Sequence, residues 1–418
     1  MSEPKVITMG CRLNAFESEI IREHLYSAGL DNTIVINTCA VTAEAERQAR
    51  QIIRRTRRKN PSAKVIVTGC AAQLCPDKYT AMPEIDGVLG NIEKLNLESF
   101  RVDQHEPNLV SDIMSVREIV PHFVQGLDGR ARSFIQIQQG CDHRCTFCII
   151  PFARGPNRSV SLDHLTDQVR TLVSEGYREA VLTGVDICSY GNDLPGAPKL
   201  GGIVRILLER VPELLRLRLS SLDPATIDNT LFELLEHEPR FMPHIHLSLQ
   251  AMDDLVLKRM KRRHSRGGAV AIVERLRRAR SDVAIGADLI AGFPTETEKM
   301  FRNTLAAVDE LSLSHLHVFP YSARKGTPAE RMPKVDGGVV RTRAAKLRAA
   351  GAKAMSKYQK QFIGQTLDIL VEKPRVGYSP HFLSVNVNDD IEVGQIVPVR
   401  ISEVSQEGLI GTVDGEDA

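Results

Sequence analysis

Tryptophan is absent from this chain, and aromatic residues make up only 5% of it. Stacking of bases on a row of aromatics is therefore a poor prospect as its way of holding nucleic acid. No charge sign prevails either: 54 Lys and Arg stand against 52 Asp and Glu, a net +2 that says almost nothing about partners. Long apolar runs are missing too. No stretch approaches the ~18 apolar residues of a membrane span, and Met1 to Gly10 has neither the apolar core nor the small-residue cleavage site of a secretory signal. A cytoplasmic location is expected. What remains is a globular balance, 42% hydrophobic and 25% charged over 418 residues. That is enough to bury a core and too long for one ordinary domain.

Three segments differ in texture. Residues 1–122 alternate short β-prone runs (Val6–Met9, Ile34–Ile36, Val65–Val67) with helical stretches. One helix is expected from Asn14, with Glu17 completing a capping box, to Gly29; another runs from Ala43 to Lys59 and stops at Asn60-Pro61. This alternation predicts a parallel α/β domain. Residues 132–357 repeat the pattern six times, with strands at 134–138, 180–182, 215–219, 244–249, 283–290 and 316–319 and helices such as Leu162–Ser174 and Val270–Ala279. Six units predict a partial (β/α)6 barrel. Residues 358–418 hold β-prone runs at 367–371, 383–387 and 396–401, punctuated by Gly364, Gly377, Gly394 and Gly408. A small β-barrel of the oligonucleotide-binding kind is expected there, separable from the barrel before it. Gln125–Arg130 reads as a linker.

The eight cysteines carry the strongest signal. In a large cytoplasmic chain they point to metal or redox chemistry before disulfides. Cys141, Cys145 and Cys148 form a CxxxCxxC directly after the first strand of the barrel segment, where such folds do chemistry. Three close thiolates suit an iron–sulfur cubane with one iron left free to chelate a small molecule. The alternative is structural zinc, with His143 borrowed as fourth ligand. Cys11, Cys39 and Cys70 each follow a predicted strand and lie 28 and 31 residues apart, the length of a βαβ unit. Parallel strands end on one edge, so these three converge on one crevice and make a second open cluster site. The alternative is three buried apolar thiols. Cys75 and Cys188 share neither geometry and read as free thiols.

At these residues the chain resembles the radical S-adenosylmethionine (SAM) methylthiotransferases over nearly its whole length. The string GCDHRCTFCIIPFARG is similar to that family's cluster loop, which implies that Cys141, Cys145 and Cys148 hold a catalytic [4Fe–4S] cluster binding SAM, with Phe147 beside the adenine. The three strand-end cysteines are similar to the ligands of an auxiliary [4Fe–4S] cluster, and the C-terminal module resembles a TRAM domain. Further SAM contacts implied by the resemblance are Gly184 in LTGVD, Ser220, Ser221 and Asp223 in RLSSLDP, His246, Ser248 and Gln250 in HIHLSLQ, and Gly286 with Gly292-Phe293-Pro294. The alternative for each is an ordinary turn or barrel-lining residue. Ala251 to Asp254 departs from the Gly-Ser-rich stretch usual in the family.

The resemblance also implies a reaction. One electron, from a donor such as a flavodoxin or ferredoxin, cleaves SAM; the resulting radical takes hydrogen from C2 of a modified adenine at position 37, in the anticodon loop of tRNA. A methylthio group built at the auxiliary cluster is then transferred. Three substrate branches exist: N6-threonylcarbamoyladenosine, N6-isopentenyladenosine, and a ribosomal-protein aspartate. GCRLNAFESE with INTCAVTAEAERQAR looks most like the first. A non-catalytic iron–sulfur protein that binds RNA or carries electrons is the rival outside this class. Two basic runs, with Arg54, Arg55 and Arg58 in one and Arg262 and Arg263 in the other, are candidate phosphate contacts; the alternative is a solvated helix face.

Overall fold

The computed structural model describes residues 3–101, 108–118 and 131–414. The expected linker Gln125–Arg130 lies outside the described residues. The first unit is a parallel sheet of five strands in chain order, Lys5–Thr8, Thr33–Thr38, Lys64–Gly69, Gly87–Leu89 and Asn108–Leu109. Thr33–Thr38 is buried along its whole length, so its β-branched residues pack on both faces, as a central parallel strand requires. The last two strands are too short to show in the sequence pattern. The helix Ala43–Lys59 obeys its local signals: the Thr42 hydroxyl accepts from the amide of Ala45 at 3.1 Å, Glu44 and Glu46 occupy the first turn, and Arg57, Arg58 and Lys59 the last, each charge on the favourable side of the helix dipole.

The first helix corrects an expectation. It runs Arg12–Ser27 with Cys11 at its N-cap and no side-chain cap. Asn14 and Glu17 are not a capping box. Both are buried, and the Asn14 amide donates inward to the Met9 and Thr38 carbonyls at 2.7 and 3.0 Å.

The second unit has six parallel strands side by side in chain order, Arg132–Gln136, Glu179–Thr183, Arg216–Leu219, His244–Gln250, Ala284–Ala291 and His315–Pro320. Two bridges, Leu217 to Phe241 and Leu222 to Leu247, join the halves. The first strand ends two residues early, and Gln138–Gln139 turns away to pair with Arg158–Ser159. A third unit closes the chain: Thr366–Lys373, Val376–Tyr378, Ser384–Val387, Ile396–Val404 and Leu409–Val413 form a closed barrel. Among the described residues no helix is long and apolar enough to cross a membrane.

The C-terminal barrel, expected to be separable, is docked on the unit before it. The helix Gly337–Gln359 leads into it through a single tight turn, Lys360–Phe362. The barrel is pressed against the N-terminal ends of the (β/α)6 strands. Arg216 donates to the Asp368 and Tyr378 carbonyls, Arg218 to that of Pro380, and Arg132 pairs with Glu372 at 2.7 Å. Phe382, at φ 64°, sits among the guanidinium groups of Arg132, Arg218 and Arg12, at 4.7, 4.9 and 5.7 Å. Buried Glu179 pairs with Arg218 at 2.9 Å and lies within 4.0 Å of Arg132 and Arg216.

Candidate active site

The strand Arg132–Gln136 delivers the CxxxCxxC to the C-terminal end of the barrel. Gly140, at φ +73°, makes the turn possible, because a Cβ there would lie 1.8 Å from the Pro156 carbonyl oxygen. The loop is then tied down at both ends. The Gln138 side chain accepts from the amides of Val185 and Asp186 and donates to Gly140 and Asn157. Thr146 bonds to the main chain of Arg259, Met260 and Ala329. Cys145 faces Arg262, whose Nη1 is 3.5 Å from its sulfur, and Cys141 faces Asp186. Burial pushes the thiols of Cys141 and Cys148 up to about 12, so their thiolate forms need a cation to hold them.

The other trio forms as the sheet register dictates. Thr8 lies beside Asn37, and Asn37 beside Thr68, so Cys11, Cys39 and Cys70 follow three aligned strand ends. A Cβ on Gly10, at φ +93°, would lie 2.9 Å from the Cys39 sulfur; only glycine lets these two strand ends approach so closely. Burial pushes the Cys39 thiol up to about 11. Arg154, from the short helix Ile150–Arg154 just after the CxxxCxxC, donates its Nε to the Cys70 sulfur at 3.1 Å. Its remaining donors meet Glu17 and Asn14. Lys94 reaches Glu17 at 2.6 Å, and the Gln139 side-chain amide donates to Glu17 at 3.2 Å. Burial alone would raise the Glu17 carboxyl, yet Arg154 and Lys94 hold it down at about 2.

Neither trio is drawn together as a mononuclear site. Among the described residues only His246, Asp288 and His317 bring three candidate ligand atoms within 4.8 Å of one another. A tetrahedral zinc, with bonds of about 2.3 Å, needs its sulfurs about 3.8 Å apart, whereas a cubane spreads them over separate irons. Neither trio holds all three sulfurs within 4.8 Å of one another, a spacing that a cubane accommodates.

A cavity of about 220 Å³ opens between the two units. Val41 and Thr42, just past Cys39, form one wall; Phe147, Gln250, Asp288, Ile290 and Phe319 to Ser322 form the other. The Ala43 amide donates to the Ser322 hydroxyl at 2.9 Å, and Arg324 pairs with Glu46, locking the walls together. Phe147 meets Phe293 edge-on at 6.4 Å. Gln250 adopts a left-handed backbone, φ 66°, at its strand end.

The other expected SAM contacts divide. Gly184 packs on Gln138 and shapes the turn next to Cys141, and Ser220 and Ser221 end their strand partly or fully exposed. Asp223 caps the turn Pro224–Thr226 and takes the guanidinium groups of Arg262 and Arg263 at 3.2 and 2.9 Å. Of these two candidate phosphate contacts, Arg262 turns inward to Asp223 and Cys145, whereas Arg263 bonds Asp223 from an exposed position. Gly286 makes room for the His246 ring, and Gly292 for Val340, each within 2.4 Å of a would-be Cβ. Ser248 joins through its main chain, whose carbonyl accepts from Arg262 at 2.8 Å. Arg54, Arg55 and Arg58 do lie exposed, Arg54 near Glu84 at 3.6 Å. Cys75 is exposed between two short helices and Cys188 half-buried behind Asp223; neither joins a trio.

Comparison with known proteins agrees with this geometry. Residues 4–90 match the model of "Uncharacterized protein family UPF0004", and residues 135–308 that of the Radical SAM superfamily. The threonylcarbamoyladenosine tRNA methylthiotransferase MtaB of Rickettsia prowazekii (strain Madrid E) is 47% identical over 98% of this chain and 97% of its own length. The chain belongs to the radical SAM methylthiotransferase family. The enzyme of the same name from Bacillus subtilis (strain 168) is 35% identical over 94% of this chain and 92% of its own. The tRNA-2-methylthio-N(6)-dimethylallyladenosine synthase of Maricaulis maris (strain MCS10) is 31% identical over 98% of this chain and 96% of its own. In fold, this methylthiotransferase is similar to the radical S-adenosylmethionine methyltransferase TsrM from Kitasatospora setae, with a TM-score of 0.56 at 16% identity over 79% of this chain and 74% of that one. Family membership implies a [4Fe–4S] cluster and SAM.

Sequence reasoning missed Glu17, Lys94, Arg154, Asp288 and His317. Arg154 was in view, in the string CIIPFARG, but nothing in a string shows which way a side chain crosses a domain boundary.

Proposed function

We propose that this methylthiotransferase acts on N6-threonylcarbamoyladenosine at position 37 of tRNA and places a methylthio group on C2 of the base. The observation that carries the reading is the cavity, which has the strand end bearing Cys39 on one side and the loop bearing Cys145 and Cys148 on the other. Its choice of nucleoside is supported by the higher identity to the threonylcarbamoyladenosine enzymes, 47% and 35% against 31%. When bound, a [4Fe–4S] cluster on Cys141, Cys145 and Cys148 supplies the electron that splits SAM, and one on Cys11, Cys39 and Cys70 supplies sulfur chemistry; the protein positions both. The electron comes from a small donor of the flavodoxin or ferredoxin type.

The chain's own residues do the rest. Phe147 and Ile290 offer an apolar face to the SAM adenine. Burial would raise the Asp288 carboxyl, but hydrogen bonds from His246 and His317 keep it ionised, well below the usual carboxylate range. It is then an acceptor for hydroxyl or amino groups in the cavity. Val41, Ile290 and Phe319 give the cavity an apolar lining.

The helix Ala43–Lys59 starts at the cavity wall and places Arg54 to Arg58 roughly 15–25 Å further along, at 1.5 Å per residue. That distance suits phosphates flanking the reacting base. Alanine at Arg54, Arg55 and Arg58 will weaken tRNA binding, flatten its salt dependence by about 0.7–0.9 in slope per phosphate lost, and leave SAM cleavage intact. The C-terminal barrel lies at the opposite end of the strands, so its RNA contacts fall away from the reacting base.

The test is mass spectrometry of tRNA nucleosides from a strain lacking this chain. N6-threonylcarbamoyladenosine will remain and its 2-methylthio derivative will vanish. Loss of methylthiolation from isopentenyladenosine instead would overturn the choice of substrate.

A further inference from the structure

Arg154 belongs to the SAM-binding unit, yet its side chain ends inside the other one. Only 2% of it is exposed. Its fork is fully used: Nε donates to the Cys70 sulfur at 3.1 Å, Nη1 to Glu17, and Nη2 to Glu17 at 2.9 Å and to Asn14. The planar arrangement needs a guanidinium, since an ammonium has no fixed fork. Nothing in the reaction proposed above uses this residue.

The charges around it are unbalanced without the trio. Glu17 contributes one negative charge to this buried group, while Arg154 and Lys94 contribute two positive ones. Three thiolates around a [4Fe–4S] core of charge 2+ carry one net negative charge, which cancels the surplus. Buried charge is strongly disfavoured unless so compensated. Hydrogen bonds to cluster sulfur and nearby charge are also among the factors that set an iron–sulfur potential.

We infer that Arg154 is a positioning residue of the auxiliary site, holding Cys70 as a ligand and making the cluster bound there easier to reduce. The inference rests on the reading that Cys11, Cys39 and Cys70 hold a cluster. It gives the two units a division of labour: the loop that carries one cluster also supplies the cation that tunes the other.

The experiment uses the full-length chain with Cys141→Ala, Cys145→Ala and Cys148→Ala, reconstituted anaerobically with iron and sulfide so that only the auxiliary site is filled. Redox titration followed by electron paramagnetic resonance gives its midpoint. Arg154→Gln removes the charge, and the midpoint will move to more negative potential. Arg154→Lys keeps the charge but loses the fork, and will move it part of the way. In a Cys39→Ala background, the same two substitutions will leave the midpoint of the remaining cluster nearly unchanged. Should the Gln variant fail to fold, the Lys variant carries the test. Failure of any cluster to assemble without the first trio would remove the two-cluster reading and this inference with it. Assembly in every variant with one common midpoint would leave that reading standing and reduce Arg154 to a structural strut.

Discussion

The two cysteine trios reach similar ends by different means. Cys141, Cys145 and Cys148 lie within eight residues on one loop, and that loop is pinned by side chains of its own unit. Cys11, Cys39 and Cys70 are brought together only by the alignment of three parallel strands, and their surroundings are completed by Arg154 from another unit. A local motif carries its geometry with it. A site assembled by topology depends on every contact that keeps the topology in register, including contacts across a domain boundary.

The sharpest division between the trios is chemical. Cys145→Ala will abolish release of 5′-deoxyadenosine from SAM, whereas Cys39→Ala will preserve that release and end methylthiolation. Chromatography of both products decides it; methylthiolated tRNA from the Cys39 variant would break the distinction. Next in size is the support beneath the first trio. Ending the chain at Ser356 strips Arg132, Arg216 and Arg218 of their C-terminal partners and leaves them Glu179 alone, and the barrel carrying that loop will not fold stably. A truncated chain with the full-length melting temperature would show that these buried cations need no C-terminal partner.

Glu17→Gln probes the boundary beside the second trio. It leaves Arg154 and Lys94 buried without their carboxylate, at a cost of about 3–5 kcal/mol, read as a lower urea midpoint of the iron-free chain. The smallest effect concerns the same C-terminal docking that truncation removes outright. The hydrogen bond from His381 holds the Asp282 carboxyl down at about 2. This contribution is complete above the ordinary value of about 3.9 and is lost as pH falls through about 2. The difference in urea midpoint between the parent and Asp282→Asn will therefore narrow between about pH 4 and pH 2.

What could be read in advance follows the same line between local and distant causes. The cluster loop was legible because its ligands are neighbours in the chain. The second trio was legible because a βαβ period predicts where parallel strands end. Glu17 misled because Asn-x-x-Glu is the same string whether it caps a helix or fills a core, and only burial tells them apart. The inward turn of Arg262 was not legible because a run of charge has no direction until a partner such as Asp223 is placed. The docking of the C-terminal barrel was invisible for a different reason: Arg216 and Arg218 are met by main-chain carbonyls, and every residue has one of those.

The position of Phe382 bears on how the molecule is made. A growing chain emerges from its N-terminus, so all six strands of the SAM-binding unit are available before the segment that covers their starting ends. Until residues near 380 have been added, Arg132, Arg216 and Arg218 have Glu179 but lack Glu372 and the Asp368, Tyr378 and Pro380 carbonyls. The nascent enzyme thus passes through a period with its central compartment open at the base, and it is closed, from below, by a segment synthesised after all six strands.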